Sequence, residues 1–259
     1  MKLTNLLGSC LALAWGVTTA LTPASAYAAD AASITVKNVT PRAWATGPDG
    51  KKVKLTAGMT LPEGSRITTS GSGTVDVFLG AAAATFQVTA SSEVTIQKAT
   101  AATAAKPAEV KITVTAGGLV GNTMAMKADT QFAVVTPKGE LTVKPSEFAL
   151  TPEGSVVVKS GSVEVKTAVV QNGQTVAKTT TVAANQEFTP ASTTGGNGSA
   201  PVVQTTPPEV KAALEQKFTE VAKVEASGTT GGGTTGGGTG GGVTLTSTLK
   251  ALGDKNSNP

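Results

Sequence analysis

The chain has 259 residues, of which 39% are hydrophobic but only 3% aromatic, with a formal net charge of +4, one cysteine and no histidine. The missing imidazoles exclude Ser-His and Cys-His nucleophile pairs, histidine bases and histidine metal ligands. Cys10 stands in a segment expected to be removed, which leaves no disulfide and no thiolate site in the mature chain.

Residues 1–29 read as a signal peptide. Lys2 supplies a positive start, residues 6–21 are mostly apolar, and Ala24-Ser25-Ala26 offers the small residues of a cleavage site. Ala26-Tyr27-Ala28 is a second candidate site. Gly8, Ser9 and Gly16 interrupt the apolar run and processing follows at once, so a removed leader is favoured over a membrane anchor. Leu7-Gly8-Ser9-Cys10 is similar to a lipoprotein cleavage box, but the stretch before Cys10 is too short for such a leader. No later run is long and apolar enough to span a bilayer. The chain is therefore expected to be exported.

Residues 30–190 read as one all-β domain. Thr, Val, Ala and Gly are abundant there, and the stiff χ1 of Thr and Val suits a pleated strand better than a helix. Ser33-Ile34-Thr35-Val36-Lys37 alternates as a strand should. The turn signal Gly47-Pro48-Asp49-Gly50 leads to Val53-Lys54-Leu55, and Leu61-Pro62-Glu63-Gly64 leads to Arg66-Ile67-Thr68-Thr69. Strands follow at 75–79, 86–90, 94–96 and 110–114, with an Ala/Thr loop over 98–109. The densest part is 132–165, where Phe132-Ala133-Val134-Val135, Leu141-Thr142-Val143, Phe148-Ala149-Leu150, Val156-Val157-Val158 and Val163-Glu164-Val165 are separated by turn signals. These include Pro152-Glu153-Gly154 and Ser160-Gly161. Asn172-Gly173 has the signature of a two-residue hairpin turn joining strands near Val169 and Val176. Strands about every ten residues point to a twisted β-sandwich or a β-solenoid-like roll of many short strands, not to βαβ units.

Residues 191–207 read as a polar linker. Thr206-Pro207-Pro208-Glu209 matches a helix capping box, with proline where its missing N–H does no harm. The helix is expected over 208–226, with Val210, Leu214, Phe218 and Val221 as one apolar stripe. That stripe is either a contact for a partner or the face that packs on the β-domain, the second being favoured. Residues 227–259 are expected to be a flexible Gly/Thr-rich tail, because the tract at 228–242 cannot bury a core. Residues 243–252 form a small apolar island, readable as an extra strand, a partner contact or a frayed end.

Chemistry-bearing motifs are sparse. Ser247-Thr248-Leu249-Lys250 fits the S-x-x-K pattern of serine–lysine hydrolases but lies beyond the tract, away from any expected oxyanion hole. Carboxylates such as Asp76, Glu93, Asp129, Glu147, Glu164 and Glu187 stand singly, with no Asp-x-Asp loop for calcium and few aromatic platforms for sugar cleavage. Lys51, Lys52 and Lys54 form the one dense cationic group. They read either as an anion contact for acidic glycan or another polyanion, or as charge guarding a sheet edge. The absence of interleaved aromatic rings argues against nucleic acid.

The order of segments resembles a FecR-like domain. The resemblance begins with Gly58-Met59-Thr60-Leu61-Pro62-Glu63-Gly64-Ser65-Arg66-Ile67-Thr68-Thr69 and continues through Val75-Asp76-Val77-Phe78-Leu79-Gly80 and Ser92-Glu93-Val94-Thr95-Ile96. It then takes in Gly118-Leu119-Val120-Gly121, Phe132-Ala133-Val134-Val135-Thr136-Pro137, Lys159-Ser160-Gly161-Ser162-Val163-Glu164-Val165 and Val182-Ala183-Ala184-Asn185-Gln186-Glu187-Phe188. Two positions depart from the family pattern: Lys144-Pro145-Ser146 stands where members carry Arg-Gly-Thr, and Leu79 where they carry aspartate before Gly80. The sigma-factor-binding segment and transmembrane helix of the founding regulators have no counterpart here. The resemblance implies an all-β module for protein contacts in the periplasm or at the cell surface of a bacterium. The expectation is a non-enzymatic protein without cofactor, binding an envelope protein or, alternatively, serving as an envelope structural protein on polysaccharide.

Overall fold

A computed structural model describes residues 33–40, 42–171, 174–191 and 201–227. Its strands are β1 (Ile34–Val39), β2 (Ala43–Thr46), β3 (Lys52–Lys54), β4 (Thr60–Leu61), β5 (Arg66–Thr69), β6 (Val75–Leu79), β7 (Ala84–Val88) and β8 (Glu93–Thr100). They continue as β9 (Glu109–Ala116), β10 (Leu119–Asn122), β11 (Gln131–Thr136), β12 (Gly139–Leu150), β13 (Val156–Gln171), β14 (Gln174–Ala183), β15 (Gln186–Thr189) and β16 (Val202–Thr205). One helix, α1, runs over Pro208–Ser227. Among the described residues the fold is thus all-β with one helix, as the strand spacing predicts.

All sixteen strands belong to one sheet, whose main path is β3-β2-β5-β8-β9-β11-β12-β10-β7-β6-β1-β4. The pairing of β9 with β11 is parallel. The path cannot lie flat. β1 and β2 are joined by a few residues, as are β4 and β5, yet in each case the two strands stand near opposite ends of the path. The sheet must curl so that its ends approach, held by these short links, and backbone bonds extend the ladders beside them: Thr40 N–H to Thr74 O at 3.0 Å between β1 and β6, Ser70 N–H to Arg42 O at 3.0 Å between β5 and β2, and Gly64 N–H to Ile96 O at 2.8 Å between β5 and β8. The curl encloses one continuous core to which nearly every strand contributes, including Ile34, Ile67, Val77, Phe86, Ile96, Ile112, Phe132, Leu141, Phe148 and Phe188.

Two strands expected as separate pairs are in fact long and bent. β12 buries Leu141 and Val143, then Phe148 and Leu150, so its inward phase changes from odd to even positions. β13 makes the complementary change, burying Val156 and Val158 and then Val163 and Val165. The registers shift between Val143 and Ser146 and between Glu147 and Phe148. Ser160-Gly161, expected as a turn, is instead paired inside β13 with Glu147 and Ser146, next to a bulge at Lys159. Gly161 adopts φ 78°, and a Cβ there would lie 2.0 Å from the Pro145 carbonyl oxygen. Gly161 thus faces Ser146 against the Pro145 carbonyl, where an extra residue in each strand bends the ladder and keeps both halves facing the core.

Other boundaries also differ from expectation. β2 and β4 were not anticipated: they are short and lie beside strong turn signals. The loop over 98–109 is shorter than expected, because β8 extends to Thr100 and β9 starts at Glu109. The 191–207 segment contains β16, which pairs with β15. The hairpin register is as the turn signal predicts, with Val169 opposite Val176, while residues 172 and 173 themselves lie outside the described residues. So do the leader, Cys10, the Gly/Thr tract and the Ser247–Lys250 pattern.

Gly161→Ala should cost at least about 2 kcal/mol, since the side chain meets backbone as well as an unfavourable φ. Gly50, also at positive φ, has open space where its Cβ would be; Gly50→Ala should cost only about 1 kcal/mol. Urea unfolding of both variants reads the difference, and equal losses would show that the bulge is not tight.

Candidate functional site

The helix stripe comes first, because its side chains were candidate partner contacts. Val210, Leu214, Phe218 and Val221 are all buried, in one cluster with Val120, Ala149 and Val157. Those three are cross-strand neighbours on the outer face of the sheet: Val120 opposite Ala149 on β10 and β12, Ala149 opposite Val157 on β12 and β13. The stripe therefore covers the chain's own sheet and is not an open partner surface. The sheet side carried a sequence signal that the strand reading passed over: Phe148-Ala149-Leu150 and Val156-Val157-Val158 are unbroken apolar runs, which mark strands buried on both faces. Lys159 closes the rim, with its Nζ 5.2 Å from the centre of the Phe218 ring and 3.2 Å from Glu147 Oε2.

The start of α1 is not the expected capping box. The Pro207 carbonyl accepts from Val210 N–H at 3.1 Å and Lys211 N–H at 3.0 Å. Thr206 lies outside the helix: its N–H donates to Asn185 O at 2.9 Å, and its buried Oγ1 has no partner. Thr206 thus ends the β-ladder instead of capping the helix.

The lysine group lies on an edge. β3, the first strand of the path, pairs only with β2 and is exposed throughout. Lys51 Nζ is 3.5 Å from Asp49 Oδ2, and Lys52 Nζ sits 5.0 Å from the centre of the Trp44 ring. Lys54 is exposed at the end of the same strand. Two cations on a short edge strand, with Lys51 just before it, discourage pairing with another chain. An anion could still meet them from solvent.

A second edge lacks that guard. β13 carries two collinear partners, β15 along its first part and β14 along the rest. β16 covers β15, whereas among the described residues β14 pairs with β13 alone. Gln171 faces Gln174 across the hairpin, so alternate residues of β14 turn their N–H and C=O away from β13. Ala183 has that outward parity, and its N–H is taken by Gln186 Oε1 at 2.9 Å. Thr181, Thr179, Ala177 and Thr175 share the parity and form the open run. The strand has ten residues, one charge (Lys178) and no proline. Val176 on this strand is 45% exposed.

The carboxylates take up structural bonds. Asp76 Oδ1 accepts from Gln87 Nε2 at 2.9 Å, Glu93 meets Arg66 at 3.4 Å, and Glu147 accepts from Ser160 Oγ at 2.9 Å. Glu187 is buried opposite Val157 and Gln204. Burial raises its pKa above the usual value, a hydrogen bond from Gln204 partly offsets this, and Oε2 has no partner. Among the described residues there is no group of three or more His, Cys, Asp or Glu side chains able to hold a metal ion. No described helix is long and apolar enough to cross a membrane.

No protein-family model matches the chain. No curated protein matches it either. Among solved structures, a candidate anti-sigma factor from Parabacteroides distasonis is similar at 16% identity and a TM-score of 0.43, over 58% of this chain and 64% of that one. A second crystal structure under the same description gives 15% identity and a TM-score of 0.44 with the same coverage. The chain thus spans less than two thirds of the length of those proteins.

The buried Glu187 predicts a pH dependence. The folded state holds its proton more tightly than the unfolded chain does. Stability is therefore lost as pH rises through the raised value and regained as pH falls toward the ordinary carboxylate value of 4.5. Glu187→Gln keeps the size and removes the charge, so it should raise the melting temperature near pH 8 and have little effect near pH 5. A destabilising effect near pH 8 would mean that the ionised carboxylate has a partner in the folded state.

Proposed function

We propose that this chain is an exported, non-catalytic FecR-like module that binds another protein of the bacterial envelope by taking one of its strands onto β14. The observation that supports the reading is where β16 stops. Gln186 pairs with Thr205, and Thr206 N–H makes the next bond, to Asn185 O. One step further, β16 would begin to cover β14. At that step the chain has Pro207 and Pro208, neither of which has an N–H to donate, and it turns away into α1. Among the described residues no further strand covers the ten residues of β14, because β16 is stopped by two prolines before it reaches them.

An exposed run of backbone donors and acceptors is the surface used in strand addition, where main-chain bonds supply affinity and alternate side chains supply selectivity. The same chain guards one other edge, β3, with Lys52 and Lys54, while the uncharged β16 edge is only four residues long. The contrast between a guarded and an unguarded edge favours a functional role for β14. The FecR resemblance, which rests on motifs between residues 33 and 190, adds the expectation of a periplasmic or cell-surface module for protein contacts.

The test is a single backbone donor. Thr179→Pro removes an outward N–H without touching the bonds to β13, and Thr179→Val changes only the side chain. Used as baits against the native envelope fraction, wild type and Thr179→Val should enrich the same protein, and Thr179→Pro should lose it by about tenfold or more. The melting temperature of Thr179→Pro should stay within a few degrees of wild type. Equal capture by all three baits would overturn strand addition. Retention of a polysaccharide that high salt or Lys51→Glu releases would assign binding to the lysine edge instead.

A further inference from the structure

We propose that, without a partner, the open edge of β14 is occupied by the chain's own residues 243–249, which add as a further strand in the same molecule. The proposal rests on reading β14 as a strand-accepting edge, and it names the segment a partner must displace.

The segment reads Val243-Thr244-Leu245-Thr246-Ser247-Thr248-Leu249. Its alternation gives one face of Val243, Leu245, Ser247 and Leu249 and another of three threonines, the pattern of a strand that is half covered. It carries no charge and no proline. Beside β14 it would meet a matching surface. Val176, Lys178, Thr180 and Val182 lie on one face of β14, and the register places them opposite Val169, Thr167, Val165 and Val163. Val163, Val165 and Val182 are buried while Val176 is exposed, so this face runs out of the core into solvent. A strand with its apolar side on that face continues the core outward and covers Val176.

The reach is sufficient. α1 starts beside the end of β16, next to the near end of β14, and its 20 residues carry the chain about 30 Å away. Residues 228–242 have a contour length of about 50 Å when extended and an r.m.s. span of roughly 20 Å as a Gly-rich coil. The return over about 30 Å lies between those limits. A tether of this kind gives an effective concentration on the order of millimolar. Docking within the molecule therefore outcompetes a second copy at micromolar protein. The core needs nothing from the tail: every residue of the two described core clusters lies between Ile34 and Val221.

The experiment compares the full mature chain with its Leu245→Pro, Leu249→Pro double variant by amide hydrogen exchange. The outward amides of Thr175, Ala177, Thr179 and Thr181 should exchange at least about tenfold more slowly in wild type than in the variant. The inward amides of β14 should be unchanged. A synthetic peptide of residues 243–252 should restore the protection when added to the variant and bind wild type at least about tenfold more weakly. Equal exchange in the two proteins, or a peptide that protects neither, overturns the proposal. So does protection that appears only as the protein concentration is raised and a dimer forms, because the tail would then belong to a second copy. Failure here leaves the partner reading standing if Thr179→Pro still abolishes capture. Conversely, if the tail protects β14 while Thr179→Pro leaves capture unchanged, the partner reading falls and this one stands.

Discussion

The architecture depends on one contact, the approach of Gly161 to Pro145 across β12 and β13. A Cβ at Gly161 would meet Pro145 O at 2.0 Å and Ser146 Cα at 2.7 Å, so the two backbones are as close as glycine allows. That approach lets both strands add a residue and bend together. Without it, Phe148 and Leu150 would turn outward whenever Leu141 and Val143 turn inward, because a strand alternates without exception. With it, one pair of strands serves the core along its whole length. β13 gains a second consequence. Its sixteen residues offer an edge long enough for β15 and β14 in line, and the kink at Asn185 (φ 60°) separates them.

The outer face is organised by a cross-strand row. Asp76, Gln87, Val120, Ala149, Val157, Glu187 and Gln204 lie side by side on β6, β7, β10, β12, β13, β15 and β16. Its apolar centre is what α1 covers, and burying Phe218 and its neighbours there supplies the driving force for docking. The flanks are polar: Gln87 Nε2 donates to Asp76 Oδ1 at one end, and Gln87 Oε1 and Glu187 Oε2 each remain buried without a partner. The helix is held by the middle of the row, with an unsatisfied polar oxygen on either flank.

Fold class was legible in the sequence because Val, Ile and Thr alternate between turn signals at short intervals, and α1 was legible because its stripe recurs at helical spacing. The misplaced boundaries share one cause. Ser160-Gly161 looks like a turn because glycine at positive φ serves turns and bulged strands alike, and only the partner strand, with Ser146 opposite Gly161, decides between them. β16 escaped notice because Pro201, Pro207 and Pro208 bracket a four-residue strand, and such punctuation reads as linker. The lysines of β3 were visible as a group, but their duty on an edge follows from sheet order, which no local pattern encodes. The edge of β14 was hidden for the same reason, since Gln174 to Ala183 reads as any polar strand.

An open edge is not costly in itself, because water satisfies its N–H and C=O groups. What it lacks is discrimination. Threonine dominates one face of β14, and the other mixes Val176 and Val182 with Lys178 and Thr180, so its side chains fix register weakly. Its selectivity must come from few positions: Val176, which offers an apolar contact, Lys178, which excludes a like charge, and the end stop formed by Gln186 on Ala183. A site of this kind gains more from raising the local concentration of the right strand than from refining its contacts. A strand carried on a glycine tether by the same chain meets that requirement, and a partner can displace it only by bringing contacts that a seven-residue stretch of Val, Leu, Ser and Thr lacks. The weak side-chain code of β14 therefore becomes a threshold, set by the tail and adjustable through its length and apolar positions without altering the domain that presents the edge.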